Sequence, residues 1–100
     1  MQPGAKKPRP VMALLDLLGR RWTLRVLWEL RGDDIPTFRE LQERCGGMSS
    51  SVLSQRIAEL REAGIVAPGA NALTKDGREL LELLTPVNEW ADRWARRSMP

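Results

Sequence analysis

Between positions 49 and 56 the chain places Ser49, Ser50, Ser51, Ser54, Gln55 and Arg56, a set of side chains that donate and accept hydrogen bonds. Glutamine pairs bidentately with adenine, and serine hydroxyls bond to several bases or to phosphate. Arg56, beside them, suits a phosphate oxygen. Upstream, Thr37 and Arg39 fall where a helix begins, and the positive end of a helix attracts phosphate; for Thr37 capping is the stronger role. No partner group that would turn them to acid–base or nucleophilic chemistry is apparent. The chain has no histidine and one cysteine, Cys45, so no zinc ligand cluster, intramolecular disulfide or His-based acid–base pair can be assembled. No glycine-rich phosphate loop is present. The reading is therefore of a protein that is no enzyme and needs no metal or cofactor.

The elements that would position these side chains follow from apolar spacing. Val11, Leu14, Leu15 and Leu18 recur at i, i+3, i+4 and i+7, a helical stripe starting at Pro10 and closed by Gly19. A second helix is expected from Arg21 to Arg31, with Trp22, Val26, Leu27 and Leu30 on one face and Leu24 and Trp28 toward the other. A helix apolar on nearly all sides belongs at the centre of a fold. Thr37 and Glu40 form a capping box for a short third helix, which Phe38, Leu41 and Cys45 would anchor, and Gly46-Gly47 stops it. Serines cap a fourth helix whose buried side is Val52, Leu53, Ile57 and Leu60. Its opposite side is Ser50, Ser51, Ser54, Gln55 and Ala58, and Gly64 ends it. Two short helices joined by a glycine turn make a helix-turn-helix.

Residues 65–73 read as a short hairpin around Pro68-Gly69. Thr74 caps a last helix with the stripe Leu80, Leu83, Leu84, Val87, Trp90 and Trp94, and Pro86 should kink or restart it near Thr85. The fold class is thus mainly α: a winged helix-turn-helix with a very short β-hairpin wing and flanking N- and C-terminal helices. Residues 1–9 form a flexible basic arm. Residues 10–97 form one domain, with the helix-turn-helix at 37–64, the wing at 65–73 and a dimerisation helix at 74–97.

Charge is unevenly spread. The net charge is +3, with +5 over residues 1–31, −2 over 32–64 and zero over 65–100. A basic first third fits phosphate contact, although an ordinary solvated surface has the same composition. No apolar run is long enough to span a bilayer and no signal-peptide core follows Lys6, Lys7 and Arg9, so a cytoplasmic protein is expected.

Four stretches in order resemble the HxlR family of winged-helix regulators: LLGRRWTLRVLWEL (17–30), TFRELQERCGGMSSSVLSQRIAELREAGIV (37–66), LTKDGREL (73–80) and Trp90 near the end. MarR-like and PadR-like regulators share the architecture less closely. The resemblance implies a transcriptional regulator that binds double-stranded DNA and dimerises through its terminal helices. Val11, Leu14, Leu15, Leu83, Val87, Trp90 and Trp94 would form that dimer interface, since so long an apolar stripe exceeds what one small core covers. Three departures stand out. Arg9-Pro10 replaces the family's Cys-Pro, Thr37 stands where an arginine often precedes Phe38, and the wing has no basic residue between Ile65 and Asn71. Two other readings fit the residues. One is a protein-interaction module, favoured by the net −2 over 32–64; the other is a sensor for an unidentified small-molecule effector, lined by Trp22, Trp28, Trp90 and Trp94.

Overall fold

The computed structural model describes residues 9–98; of the arm expected over residues 1–9, all but Arg9 lies outside the described residues. Five helices follow one another: α1 (Pro10–Leu18), α2 (Thr23–Glu29), α3 (Phe38–Arg44), α4 (Ser50–Glu62) and α5 (Lys75–Ser98). Between α4 and α5 an antiparallel bridge joins Val66 to Leu73. Helix α2 is central and packs on α1, α3 and α4. Its inner residues Val26 and Leu27 are buried with Leu41 of α3, Cys45 just after it, and Leu53, Ile57 and Leu60 of α4.

Helix α2 is shorter than its apolar pattern predicts. Trp22 stands at its start with φ 78°, a left-handed conformation that ends helical geometry on its N-terminal side. At the other end the amides of Leu30 and Arg31 reach back only three residues, to Leu27 and Trp28, a tightened turn that closes the helix before Gly32. Helix α3 begins as expected. Thr37 Oγ1 accepts from the Glu40 amide at 3.1 Å while Glu40 Oε1 accepts from the Thr37 amide at 2.8 Å. Gly46 and Gly47 follow α3 with φ of 80° and 75°, consecutive left-handed residues that a side chain would strain.

The wing is smaller than a hairpin. Its single bridge rests on two backbone bonds, from the Ala67 amide to the Ala72 carbonyl at 2.8 Å and from the Thr74 amide to the Ile65 carbonyl at 3.0 Å. Side chains hold it instead. Arg61 donates to the Ala67 carbonyl at 2.9 Å and to Asn71 Oδ1 at 3.0 Å, and Asn71 in turn donates to the Pro36 carbonyl at 3.2 Å. Thr74 caps α5 as expected, accepting from the Gly77 amide at 3.0 Å and donating to the Gly64 carbonyl at 2.6 Å.

Gly77 is where α5 crosses the wing. A Cβ there would stand 2.2 Å from the Ile65 carbonyl oxygen, a backbone atom that cannot swing away. Gly77→Ala is therefore expected to destabilise the fold by about 1–3 kcal/mol, the ordinary cost of overpacking. This runs against helix propensity, which favours alanine by about 1 kcal/mol. Urea unfolding decides the sign, and a more stable alanine variant would show that the crossing is not tight.

Helix α5 runs unbroken through Pro86, so the alternative of a restart near Thr85 does not occur. Pro86 and Glu82 are both exposed, so water can serve the Glu82 carbonyl that proline leaves without an amide. The helix has 24 residues, about 36 Å of length, yet its contact with the core comes from Gly77, Leu80, Leu81 and Leu84 near its start. The remainder projects beyond it.

Candidate nucleic-acid interface

Helix α4 is set by its N-terminus and its inner face. Ser49 caps it, its Oγ accepting from the Val52 amide at 3.2 Å and lying 3.1 Å from Ser51 Oγ. The turn before it is pinned by Met48, which is buried, and by Gln42 Nε2 donating to the Met48 carbonyl at 2.8 Å. Leu53, Ile57 and Leu60 are buried against α2 and α3. Burying those positions turns Ser50, Ser51, Ser54, Gln55 and Ala58 outward, and all five are exposed. The strip is left uncovered by the other described residues.

The other expected contacts are more varied. Thr37 Oγ1 is engaged in the capping box. Arg39 is exposed and makes no side-chain hydrogen bond or ion pair among the described residues. Arg56 is turned inward: its Nε donates to the Arg21 carbonyl at 2.8 Å and its Nη1 to Glu59 Oε1 at 2.8 Å. Glu59 also pairs with Arg20 at 3.1 Å and accepts from Gln55 Nε2 at 3.4 Å. Burial pushes the Glu59 carboxyl up, but hydrogen bonds from Arg56 and Arg20 outweigh it and hold the group below its ordinary value. Glu59 was missed by sequence reasoning; its i, i+3 spacing from Arg56 is the signal that could have found it. Arg25 bonds to Glu29 at 3.0 Å and to the Arg44 carbonyl at 2.7 Å. Arg44 in turn pairs with Asp34, whose carboxyl it holds below the usual range.

The terminal helices leave a second surface. Val11 and Leu15 on α1 are 56% and 53% exposed, and Leu83, Val87, Trp90 and Trp94 on α5 are 67%, 58%, 51% and 42% exposed. Leu14 is half-buried against the core. Trp90 and Trp94 stack with centroids 6.2 Å apart. Met12 and Leu24, also exposed, were not anticipated as part of this surface. Trp22 and Trp28 line separate surface depressions, Trp28 in a groove of about 350 Å³ between α2 and α5. The Cys45 thiol is buried, and burial first, then the charge of Glu29, pushes its pKa up. Among the described residues no group of His, Cys, Asp and Glu could hold a metal ion, and no helix is long and apolar enough to cross a membrane.

Two short helices across a glycine turn, followed by a vestigial wing, define a winged helix-turn-helix protein. The chain belongs to the HxlR-like helix-turn-helix family, whose model matches residues 17–99. It is 26% identical over 96 residues to an uncharacterized HTH-type transcriptional regulator of Methanocaldococcus jannaschii, covering 89% of each chain. It is 27% identical over 89 residues to the uncharacterized HTH-type transcriptional regulator YvaP of Bacillus subtilis, covering 80% of this chain and 82% of that one. Among solved structures, quinone-bound YodB from B. subtilis matches with TM-score 0.73 and 27% identity over 83% of this chain and 96% of that chain. A protein of Thermoplasma volcanium described as a possible HxlR family transcriptional factor matches with TM-score 0.73 and 26% identity over 96% of this chain and 95% of that chain. The family and these relatives are transcriptional regulators, not enzymes.

Proposed function

We propose that the protein binds duplex DNA sequence-specifically as a homodimer in the cytoplasm, each subunit laying α4 in a major groove. The observation that carries this reading is the exposed strip Ser50, Ser51, Ser54 and Gln55, on a helix whose other side is locked into the core. A recognition helix needs that combination, because base edges are read by side chains held at a fixed depth and rotation. Gln55, long enough to reach a base edge, is the principal reader. The serines bond to bases or phosphates near the helix start, and Arg39 contacts a phosphate, with Thr37 holding the start of α3 beside it. Dimerisation through α1 and α5 would cover the apolar surface and pair two half-sites under one two-fold axis.

The test is selection of bound duplexes from a random pool, repeated with Gln55→Ala. The variant should lose preference at one position in each half-site, at a cost of about 1–3 kcal/mol. Binding should also weaken steeply as salt rises. If no duplex is retained even at low salt, the helix serves a protein partner instead, as its net acidic surroundings would allow. If Gln55→Ala leaves the selected motif unchanged, Gln55 is not the reader.

A further inference from the structure

The turn between α1 and α2 is strained and held from one side. Trp22, at φ 78°, is the one non-glycine residue with positive φ among those described. Such a conformation is disfavoured for an ordinary L-residue and persists only where the surroundings enforce it. Local contacts supply part of the hold: the Thr23 amide bonds to the Arg20 carbonyl at 3.1 Å, and the Arg21 guanidinium lies 5.4 Å from the centre of the Trp22 ring. The rest comes from α4. Arg56 donates to the carbonyl of Arg21, the residue immediately before the strained one, and Glu59 pairs with Arg20. The side chains of Arg56 and Glu59 are only 17% and 20% exposed, so these bonds are partly shielded from water.

We infer that Arg56, Glu59 and Arg20 form a clamp that fixes the rotation of α4 against the α1–α2 turn, making Arg56 and Glu59 positioning residues for DNA reading. The inference rests on the proposed role of α4 and assigns Arg56 to the protein's own backbone in place of a phosphate. Through the same clamp the helix bearing Val11 and Leu15 is joined to the helix that reads, so subunit pairing and groove fit are mechanically linked. The clamp also orients the reader. Glu59 Oε1 is taken by Arg56, while Oε2 serves Arg20 and Gln55. A carboxylate only accepts, so the Gln55 amide must turn its NH₂ toward Glu59 and its carbonyl oxygen away. That leaves an acceptor for the exposed amino group of adenine or cytosine.

The test compares Arg56→Ala, Arg56→Lys and Glu59→Gln in the full chain. Binding to the selected duplex is followed across salt concentrations, and amide hydrogen exchange is measured without DNA. Arg56→Ala should weaken binding about 2- to 30-fold, the range of couplings that act at a distance from the ligand. The slope of log affinity against log salt should stay at its wild-type value. Arg56→Lys should not rescue, because an ammonium lacks the fork that reaches carbonyl and carboxylate together. Glu59→Gln should broaden base preference at the position Gln55 reads. Amides of residues 20–24 should exchange about ten-fold faster or more in Arg56→Ala, while core amides of α4 stay protected. A salt slope reduced by about 0.9 would identify Arg56 as a direct phosphate contact and overturn the assignment. Unchanged affinity and preference would do the same. Unchanged exchange over residues 20–24 would overturn the clamp itself, whether or not DNA binds. A wild-type chain that binds no duplex would instead remove the reading role of α4, and the positioning role with it.

Discussion

A chain carrying glutamate at both Val87 and Trp90 is expected to sediment as a monomer where the wild type sediments as a dimer, and to bind its selected duplex about 10²–10⁴-fold more weakly. The affinity figure is the gain a tethered second site provides without new contacts, and it disappears when the two half-sites are bound independently. Both residues are more than half exposed in the isolated subunit and lie on α5 beyond its contact with the core. The substitutions should therefore leave the monomer's melting transition near its wild-type position, since surface changes away from buried features cost little. In a dimer the same positions would bring four carboxylates into an apolar seam, where an unpaired charge is heavily penalised. An unchanged sedimenting mass would show that the terminal helices are not the dimer contact.

Leu53→Ala should be among the most damaging changes on α4. Leu53 is fully buried, on the side of α4 opposite the exposed serines. Deleting its isobutyl group removes apolar burial and opens a cavity, at about 2–5 kcal/mol. For a domain of this size each kilocalorie lowers Tm by about 4–8 °C, so a fall of about 10 °C or more is expected by thermal denaturation. Ser54→Ala, one residue along on the exposed side, should fall within about 0.5 kcal/mol of wild type. If the two variants melt alike, α4 does not pack as described.

What could be read from residue order was whatever depends on neighbours in the chain. The stripes of α1, α4 and α5, the Thr37–Glu40 capping box and the serine and threonine caps are all set within four residues, and each appears where spacing puts it. The length of α2 was not legible, because no apolar spacing marks the left-handed backbone of Trp22 that sets its start. The inward turn of Arg56 was hidden for the same reason: its acceptor is a main-chain carbonyl 35 residues back, and no side-chain pattern marks a carbonyl. Pro86 shows the opposite failure, a local rule that exposure relaxed. The wing has one bridge, and the bonds from Arg61 and Asn71 that hold its loop join side chains to distant backbone that residue order does not mark.

The placement of Cys45 has a practical consequence. It is the chain's sole sulfhydryl and only 1% exposed. A disulfide reagent can colour it only when the packing around it opens, so the rate of labelling in native buffer reports how often the core opens at this point. Oxidants in solution meet the same barrier: they reach no thiol while the domain stays closed.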